Sequence, residues 1–247
     1  MLTKGAILCG GEGRRLKPLT DYFQKTMIPI GPRRRPLLEY AVRLLAFHRV
    51  SDIIMLTGYR SEEIENYFGD GSRFRAKIDY SRDVTPGGGS ANALEHALQS
   101  GRLGSFDNLL VYYGDILSDL NVSELLETHS ARSAAVTLVL SDRYTLPVGV
   151  ADVMDGFVRR FREKPSLVLS VTTGCMVVRR DALETLKKAT SKGGKRDLMA
   201  HFVPEVLEGG GRVAAYYSKG LWYDVGTTEA YEKLENRLIE AHLKFLG

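Results

Sequence analysis

GAILCGGEGRRLKPLTDYFQKTMIPI, which occupies residues Gly5 to Ile30, predicts a buried strand followed by an anion-binding turn. The strand is the apolar run Ala6–Cys9, and the turn contains Gly10, Gly11 and Gly13. Because glycine has no Cβ, the backbone N–H groups of such a turn can approach an anion closely. Basic side chains follow at Arg14, Arg15, Lys17 and Lys25. The segment therefore predicts a loop that binds a polyphosphate, although a flexible turn with solvated basic side chains fits this segment equally well when taken alone.

Two common phosphate-binding motifs do not fit this segment. A dinucleotide-binding fingerprint starting at Gly11 and Gly13 requires a third glycine at position 16, where the chain has Leu16. A Walker A loop requires Gly-Lys-Ser/Thr after its spacer, and that tripeptide does not follow the glycines. The loop therefore belongs to neither of these two classes.

The composition is that of a soluble globular domain. The chain has 247 residues, of which 44% are hydrophobic and 26% charged, with a net charge of +4 that suits acidic substrates. Arg33–Arg35 is the only run of three basic residues, and we interpret it as a solvated turn. We therefore expect neither a nucleic-acid partner nor a membrane. The two cysteines, Cys9 and Cys175, argue against a disulfide framework and suit a cytoplasmic protein.

Strands and helices alternate along the first half of the chain, which predicts a doubly wound α/β fold with a mostly parallel, mixed sheet. Apolar runs predict buried strands at 53–56 and 109–113, and helical patterns predict helices at 36–48, 91–98, 122–129 and 228–245. Ser61 is predicted to cap a further helix, which precedes a turn at 69–72. The second half is richer in strands, at 148–153, 157–161 and 171–178. We expect this part to close over the glycine loop without forming a separate domain.

Polar or glycine-rich residues follow two further predicted strands. Pro86–Ser90 precedes a helix, and Gly114-Asp115 directly follows the strand at 109–113. The carboxyl ends of parallel strands meet at one edge of a sheet, so both segments are expected near the first glycine loop. A plain helix entry and a capping aspartate are the alternatives at these two positions.

The segment Gly10–Thr20, followed by Lys25 and Pro29, resembles the signature of sugar-1-phosphate nucleotidyltransferases, also called nucleoside-diphosphate-sugar pyrophosphorylases. Their pattern is roughly GGxGTRLxPLT, then PKPxxP. This chain departs from it at three positions: Arg14 stands where the family usually has threonine, and Gln24 and Thr26 replace the prolines that flank the lysine.

Four later segments resemble the same family in the same order. They are Gly89–Leu94 (the family's GTAGAL run), Tyr113–Asp115 (NGD), Phe161–Pro165 (FxEKP) and Trp222–Thr227 (WxDIGT). The series covers nearly the whole chain. The chain is thus identified as a member of the family, and we expect a short form without the C-terminal β-helix of several relatives.

The resemblance implies a Rossmann-like, glycosyltransferase-A-like fold in a single domain, with a nucleotide-binding half at 1–140 and a sugar-binding half at 141–247. It implies catalytic Arg15 and Lys25, and Mg²⁺ bound by Asp115 and Asp224. The implied nucleotide-binding residues are Cys9, Gly10, Gly11, Gly13, Gly88, Gly89, Ser90, Asn92 and Gly114. The implied sugar-phosphate residues are Gly149, Glu163, Lys164 and Gly174.

The implied reaction transfers a nucleoside monophosphate from an NTP to a sugar 1-phosphate and releases pyrophosphate. Mannose 1-phosphate with GTP is the pair we favour weakly. Glucose 1-phosphate with UTP or dTTP, a polyol phosphate with CTP, and a non-catalytic paralogue that binds nucleotide-sugars are the alternatives. A homodimer is expected from the general frequency of two-fold oligomers.

Overall fold

The computed structural model describes residues 1–83, 88–146, 148–235, 239, 243 and 245. Its strands are β1 (Thr3–Leu8), β2 (Pro29–Ile30), β3 (Arg35–Pro36), β4 (Asp52–Thr57), β5 (Lys77–Arg82), β6 (Asn108–Tyr113), β7 (Ile116–Ser118), β8 (Val136–Thr145), β9 (Val150–Met154), β10 (Phe157–Arg162), β11 (Ser166–Arg179), β12 (Val213–Tyr217) and β13 (Trp222–Asp224).

The α-helices are α1 (Leu19–Tyr22), α2 (Leu37–Phe47), α3 (Ser61–Phe68), α4 (Ser90–Gln99), α5 (Val122–Ala131), α6 (Glu184–Thr190), α7 (Val203–Glu208) and α8 (Thr228–Lys233). Short 3₁₀ turns lie at Arg14–Leu16, Lys25–Met27, Ser72–Phe74 and Arg180–Leu183, and a π-helical turn, Leu198–Phe202, precedes α7.

Seven strands form a mixed central sheet in the order β12-β8-β11-β6-β1-β4-β5. β1 pairs in parallel with β4 and β6, whereas β11 pairs antiparallel with both β6 and β8. The predicted doubly wound, mostly parallel, mixed sheet is thus confirmed. Strands from both halves of the chain share this sheet, and β1 lies near its middle.

Helices cover both faces of the sheet. Successive strand residues point to opposite faces, so an apolar strand such as β1 has buried side chains on both. In β1, Ile7 belongs to an apolar cluster that includes residues of α2, α3 and α5, while its neighbour Ala6 belongs to a second cluster that includes residues of α4, α6 and α7. Both residues are fully buried. This double layer fixes the carboxyl end of β1, from which the glycine loop emerges.

Two small ladders hold the segments above that end of the sheet. β13 pairs antiparallel with β7, and β2 pairs with β3. A third apolar cluster, which includes Ile30, Leu37, Leu117 and Val225, packs beneath them. The strand pair β9–β10 forms a separate two-stranded ribbon, whose residues from 151 to 162 are all exposed.

Two predicted boundaries differ from the structure, and a third falls on residues that the structure does not describe. Ser61 is not the residue that caps α3: it is the first helical residue, and Arg60 occupies the cap with a left-handed φ of 52°. The C-terminal helix, predicted to reach residue 245, ends at Lys233 because Leu234 is extended; of residues 236–245 only 239, 243 and 245 are described. The predicted second glycine loop begins at residues 86 and 87, which lie outside the described residues.

Among the described residues, no helix combines the length and apolar character needed to cross a lipid bilayer.

Candidate active site

The first glycine loop follows β1 and is shaped by two close approaches. A Cβ at residue 10 would lie 3.1 Å from the backbone nitrogen of Gly58, and a Cβ at residue 13 would lie 2.9 Å from Cβ of Lys25. Gly13 also has a φ of +67°, a left-handed conformation that glycine adopts without strain. The loop therefore packs directly against the stem of Lys25.

The loop presents backbone donors but no reactive thiol. The N–H groups of Gly10, Gly11 and Glu12 have no hydrogen-bond partner in the described part of the chain. Cys9, just before them, is 1% exposed, and burial raises the pKa of its thiol. The thiol points into the core and the Cys9 N–H donates to the Leu56 carbonyl at 3.0 Å, so neither group faces a nucleotide.

Lys25 and Asp115 form an ion pair above the end of the sheet. The Lys25 Nζ atom donates to Asp115 Oδ2, and the two side chains expose only 14% and 20% of their surface. Asp115 is held in place by its neighbour, because the Gly114 N–H donates to the carbonyl of Leu8 at 2.9 Å. The structure thus brings the segment that contains the first glycine loop and Lys25 together with Gly114-Asp115.

Asp224 joins this pair through strand register. β13 pairs Asp224 with Ile116, the residue after Asp115, and the Val225 N–H donates to the Asp115 carbonyl at 3.0 Å. Although Asp224 is partly open to solvent, its carboxyl pKa is raised, first by desolvation and second by the charge of Asp115. Lys25 and Arg15 act in the opposite direction. The four charged side chains therefore share one electrostatic environment.

Arg15 reaches the same centre, whereas Arg14 points away. A Cβ at residue 226 would lie 2.7 Å from Asp224 Oδ1 and 3.2 Å from Arg15 Nη2, so glycine there lets the two side chains approach. The Thr228 hydroxyl donates to the Arg15 carbonyl at 3.3 Å, which ties α8 to the loop. Arg14 pairs with Glu12 and leaves 81% of its side chain exposed. The Arg14 side chain, which stands where the family usually has threonine, thus projects into solvent.

Asp115 and Asp224 have the chemistry of a magnesium site. Both are carboxylates, which are hard oxygen ligands. Desolvation and then the charge of Asp115 raise the pKa of Asp224, so the two carboxylates lie close enough to repel each other. The described residues include no cluster of three or more His, Cys, Asp or Glu side chains suited to a metal. Two carboxylates nonetheless fit Mg²⁺, which usually keeps several waters and takes its other ligands from substrate phosphates.

The segment Gly88–Asn92 at the start of α4 is held by a part of the chain that sequence reasoning missed. The Arg196 N–H donates to the Gly88 carbonyl and the Ala91 N–H to the Arg196 carbonyl, both at 2.8 Å. A Cβ at residue 89 would lie 2.3 Å from the Arg196 oxygen. The Asn92 amide donates to the Gly194 carbonyl at 3.2 Å. Residues 193–198 therefore form one wall of the predicted nucleotide pocket.

The only sequence signals for this wall are the glycines of the 191–195 loop and Asp197 after them, whose carboxylate accepts the Ser90 N–H at 3.3 Å. In addition, the Ser90 hydroxyl accepts the Leu198 N–H at 2.9 Å. These contacts join residues more than a hundred positions apart, so no local pattern predicts them.

Tyr113 connects this pocket to the second half of the chain. Its hydroxyl lies 3.3 Å from the Ser90 hydroxyl, and its Cβ lies 3.3 Å from where a Cβ at residue 174 would be. Gly174 has a φ of +78°, so the close contact and the backbone both favour glycine. Desolvation is the largest cause that raises the pKa of the Tyr113 phenol. Tyr113, the residue that replaces the family's asparagine, thus lies between the segments predicted to bind base and sugar.

Three of the four predicted sugar-phosphate residues, Gly149, Glu163 and Lys164, flank the β9–β10 ribbon, whereas Gly174 lies in β11 beside Tyr113. A Cβ at Gly149 would lie 2.5 Å from the Phe161 ring and 3.0 Å from Glu163 Oε2, so these three residues form one cluster. Lys164 has a φ of +44°. The pKa of Glu229 in α8 is lowered mainly by its hydrogen bond with Lys233, with a further contribution from the charge of Lys164. Lys164 is therefore near enough to α8 for its charge to act on Glu229.

Comparisons with known proteins identify a family and a fold for the chain. A family profile described as "Nucleotidyl transferase" matches residues 4–241. The chain is 27% identical over 98% of its length to a UTP–glucose-1-phosphate uridylyltransferase of Synechocystis and 28% identical over 91% to a mannose-1-phosphate guanylyltransferase of Mycobacterium tuberculosis. It spans 64% and 61% of the length of these two relatives.

A crystal structure from Bacillus anthracis, assigned as a glucose-1-phosphate thymidylyltransferase and solved with sucrose, superposes on this chain with a TM-score of 0.74. The alignment covers 94% of this chain and 93% of that one at 24% sequence identity. At that identity the superposition establishes the shared fold. It agrees with the expected Rossmann-like nucleotidyltransferase architecture.

Proposed function

This chain belongs to the nucleotidyl transferase family, and from that premise we propose that it transfers a nucleoside monophosphate from an NTP to a sugar 1-phosphate, releasing pyrophosphate. The observation that carries the proposal is the convergence of Lys25, Arg15, Asp115 and Asp224 beside a glycine loop whose N–H groups have no partner among the described residues. Two basic and two acidic side chains at the end of a central strand suit a bound triphosphate and its metal ion.

The reaction requires alignment and charge neutralisation more than acid–base chemistry. A phosphate oxygen of the sugar 1-phosphate attacks the α-phosphorus in line, the bond to the β-phosphate oxygen breaks, and pyrophosphate leaves with that electron pair. Sugar phosphates are ionised at neutral pH, so no residue has to remove a proton. Arg15 and Lys25 stabilise the charge that develops on the α-phosphate and the departing pyrophosphate.

Asp115 and Asp224 are the residues that would hold Mg²⁺. When bound, the ion supplies charge neutralisation and orientation of the phosphate oxygens. The Lys25 ammonium pairs with Asp115 in this structure, so it lies beside the place where the ion and the phosphates would bind. Lys25 would therefore act on the same phosphate oxygens as the ion.

The remaining residues divide between base and sugar. Gly88–Asn92, with the wall formed by residues 193–198, would bind the base and ribose. Glu163 would accept hydrogen bonds from sugar hydroxyls while Lys164 faces the attacking phosphate, with Gly149 and Gly174 keeping the backbone close. We propose that 1–140 and 141–247 act as the nucleotide-binding and sugar-binding halves of one nucleotidyltransferase domain.

The test is a matrix of nucleoside triphosphates against sugar 1-phosphates, with pyrophosphate release measured in the presence of Mg²⁺. GTP with mannose 1-phosphate, and UTP or dTTP with glucose 1-phosphate, are the first pairs to measure. Release with at least one sugar phosphate supports the proposal. Turnover confined to CTP with polyol phosphates would contradict the sugar assignment, and nucleotide-sugar binding without any pyrophosphate release would contradict catalysis.

A further inference from the structure

Gln24 and Thr26 stand on either side of Lys25, where the family usually has prolines. Prolines would restrict the backbone around the lysine by fixing φ. This chain has no proline at either position, so another interaction must fix the turn. Gln24 is completely buried, and a buried carboxamide is nearly always hydrogen-bonded.

The donor side of the Gln24 carboxamide is directed at the glycine loop. Its Nε2 atom donates to the Cys9 carbonyl at 2.7 Å and lies 3.4 Å from the Gly11 carbonyl. In a planar trans peptide the C=O and the N–H of the next residue point in opposite directions. Gln24 therefore turns the N–H groups of Gly10 and Glu12 away from itself. These are two of the loop donors that lack a partner within the described residues.

The acceptor side of the same carboxamide closes the turn that carries Lys25. Its Oε1 atom accepts the Thr26 N–H at 2.6 Å and the Thr26 hydroxyl at 2.7 Å. The Gln24 N–H donates to Glu63 at 2.7 Å, and Glu63 in turn accepts from Arg60 at 3.0 Å. A proline at position 24 has no N–H and would lose the first of these bonds. One buried side chain thus connects the glycine loop, the Lys25 turn and α3.

We propose that Gln24 is a positioning residue for polyphosphate binding. It orients the Gly10 and Glu12 N–H groups toward the nucleotide's phosphates and holds the turn that presents Lys25. As part of catalysis this role rests on the proposed function, but orientation of the loop donors can be measured by phosphate binding alone. A pair of hydrogen bonds replaces the restriction that two prolines impose in relatives.

The variants for the test are Gln24→Met and Gln24→Glu, with Gln99→Met and Gln99→Glu on the exposed end of α4 as matched controls. Gln24→Met keeps the length of the side chain without polar atoms. Gln24→Glu keeps the acceptor for Thr26 but cannot donate to the two carbonyls. If both variants weaken binding equally, the cause is the lost orientation of the loop N–H groups. A loss in Gln24→Glu alone would reflect its added negative charge.

The first measurement is the affinity for inorganic tripolyphosphate by calorimetry with Mg²⁺, alongside thermal unfolding of each variant. We expect both Gln24 variants to bind tripolyphosphate about 10- to 100-fold more weakly, the size of one or two charge-assisted hydrogen bonds. Both Gln99 variants should match the wild type. Affinities within twofold of the wild type in a folded Gln24 variant would overturn the proposal.

The second measurement needs no variant. Adding tripolyphosphate to the wild-type protein should slow amide hydrogen exchange at Gly10 and Glu12. Tripolyphosphate that binds without protecting these two amides would overturn the proposal. If the wild type releases no pyrophosphate in the activity matrix but its tripolyphosphate affinity depends on Gln24, the proposed function fails and the role of Gln24 in phosphate binding stands.

Discussion

Lys25 and Lys164 are both proposed to face a phosphate group, yet the protein holds them very differently. Lys25 is paired with Asp115, packed against Gly13 and enclosed by a turn that Gln24 closes. Lys164 is exposed at the base of the β9–β10 ribbon. We call the part of the site around Lys25 the phosphate end; it is built into the central sheet. We call the part around Lys164 the sugar end; it projects from the sheet.

This difference predicts different roles for the two ends. Fixed charges around the reacting phosphorus lower the barrier because they need no reorganisation during the reaction. Exposed side chains on a projecting ribbon lose conformational freedom when a ligand binds, so they contribute mainly to affinity. Substitutions at the phosphate end should therefore reduce kcat, and substitutions at the sugar end should raise the KM for the sugar phosphate.

The largest effect is expected for Asp224→Asn, which removes one of the two proposed magnesium ligands. Loss of several kcal/mol of charge stabilisation corresponds to a decrease of about 10³-fold in pyrophosphate release. Asp119→Asn is the control, because Asp119 lies close to Asp115 in sequence but contacts Gly220. Equal losses in the two variants would contradict the assignment of Asp224.

The same substitution should not destabilise the fold. Desolvation and the charge of Asp115 raise the pKa of the Asp224 carboxyl, so its ionised form is less favourable in the folded protein than in the unfolded chain. This cost grows as pH rises from the ordinary carboxyl range through the raised pKa. Asp224→Asn should therefore unfold at the same or a higher temperature than the wild type at pH 7. A lower melting temperature would show that Asp224 stabilises the fold.

Arg15→Ala tests the phosphate end against its immediate neighbour. Loss of the guanidinium next to Asp224 should reduce kcat/KM about 10²- to 10³-fold. Arg14→Ala should change it less than about twofold, because exposed ion pairs such as Arg14–Glu12 contribute little. Steady-state kinetics of the two variants will check this. A larger loss in Arg14→Ala would mean that the two arginines have been assigned in the wrong order.

Gly149→Ala tests the sugar end by a steric change. The new Cβ would lie 2.5 Å from the Phe161 ring and displace it together with the Glu163 carboxylate. We expect the KM for the sugar 1-phosphate to rise about tenfold, roughly the loss of one charge-assisted hydrogen bond, with kcat and the KM for the NTP nearly unchanged. Gly149→Ala/Phe161→Ala should recover part of the loss. A decrease in kcat alone would place Gly149 at the phosphate end instead.

His129 in α5 belongs to neither end of the site, so it tests the pH dependence of the stability of the fold alone. It is 2% exposed, its Nδ1 atom lies 2.8 Å from the Thr137 hydroxyl, and its pKa is lowered, mainly by desolvation and further by Arg179. A histidine with a lowered pKa in the folded state loses stability as pH falls through its ordinary value near 6.5. The melting temperature should therefore fall modestly below that pH, and His129→Gln should weaken this dependence. His96→Gln, on α4, should leave it unchanged.

Much of the fold and the centre of the candidate site could be predicted from the sequence. The apolar run before Gly10 and the one before Gly114 each predict a strand that ends in a loop, and parallel strands bring such loops to one edge. The resemblance of Trp222–Thr227 to a family segment predicts Asp224 as a magnesium ligand. The β7–β13 register places Asp224 beside Asp115. These features depend on local patterns or on strand topology.

The features that were missed depend on contacts between distant residues. The wall at 193–198 meets Gly88–Asn92 through backbone hydrogen bonds, which carry no sequence signature. In the sequence, Gln24 is recognisable only as a residue that replaces a family proline. Its proposed role depends on the carbonyls to which its buried amide donates, and the sequence does not reveal these. The end of α8 at Lys233 was also missed, because the amphipathic pattern continues past the point where Leu234 becomes extended.

The most direct test of the central claim is a kinetic comparison of Lys25→Ala with Lys164→Ala, using the substrate pair that the activity matrix identifies. For Lys25→Ala we expect kcat to fall about 10²- to 10³-fold with a small change in the KM for the sugar 1-phosphate. For Lys164→Ala we expect that KM to rise about 10- to 100-fold with kcat within a few-fold of the wild type. Equal effects of the two substitutions on kcat, or a larger effect of Lys164→Ala, would contradict the division of the site into a fixed phosphate end and an open sugar end.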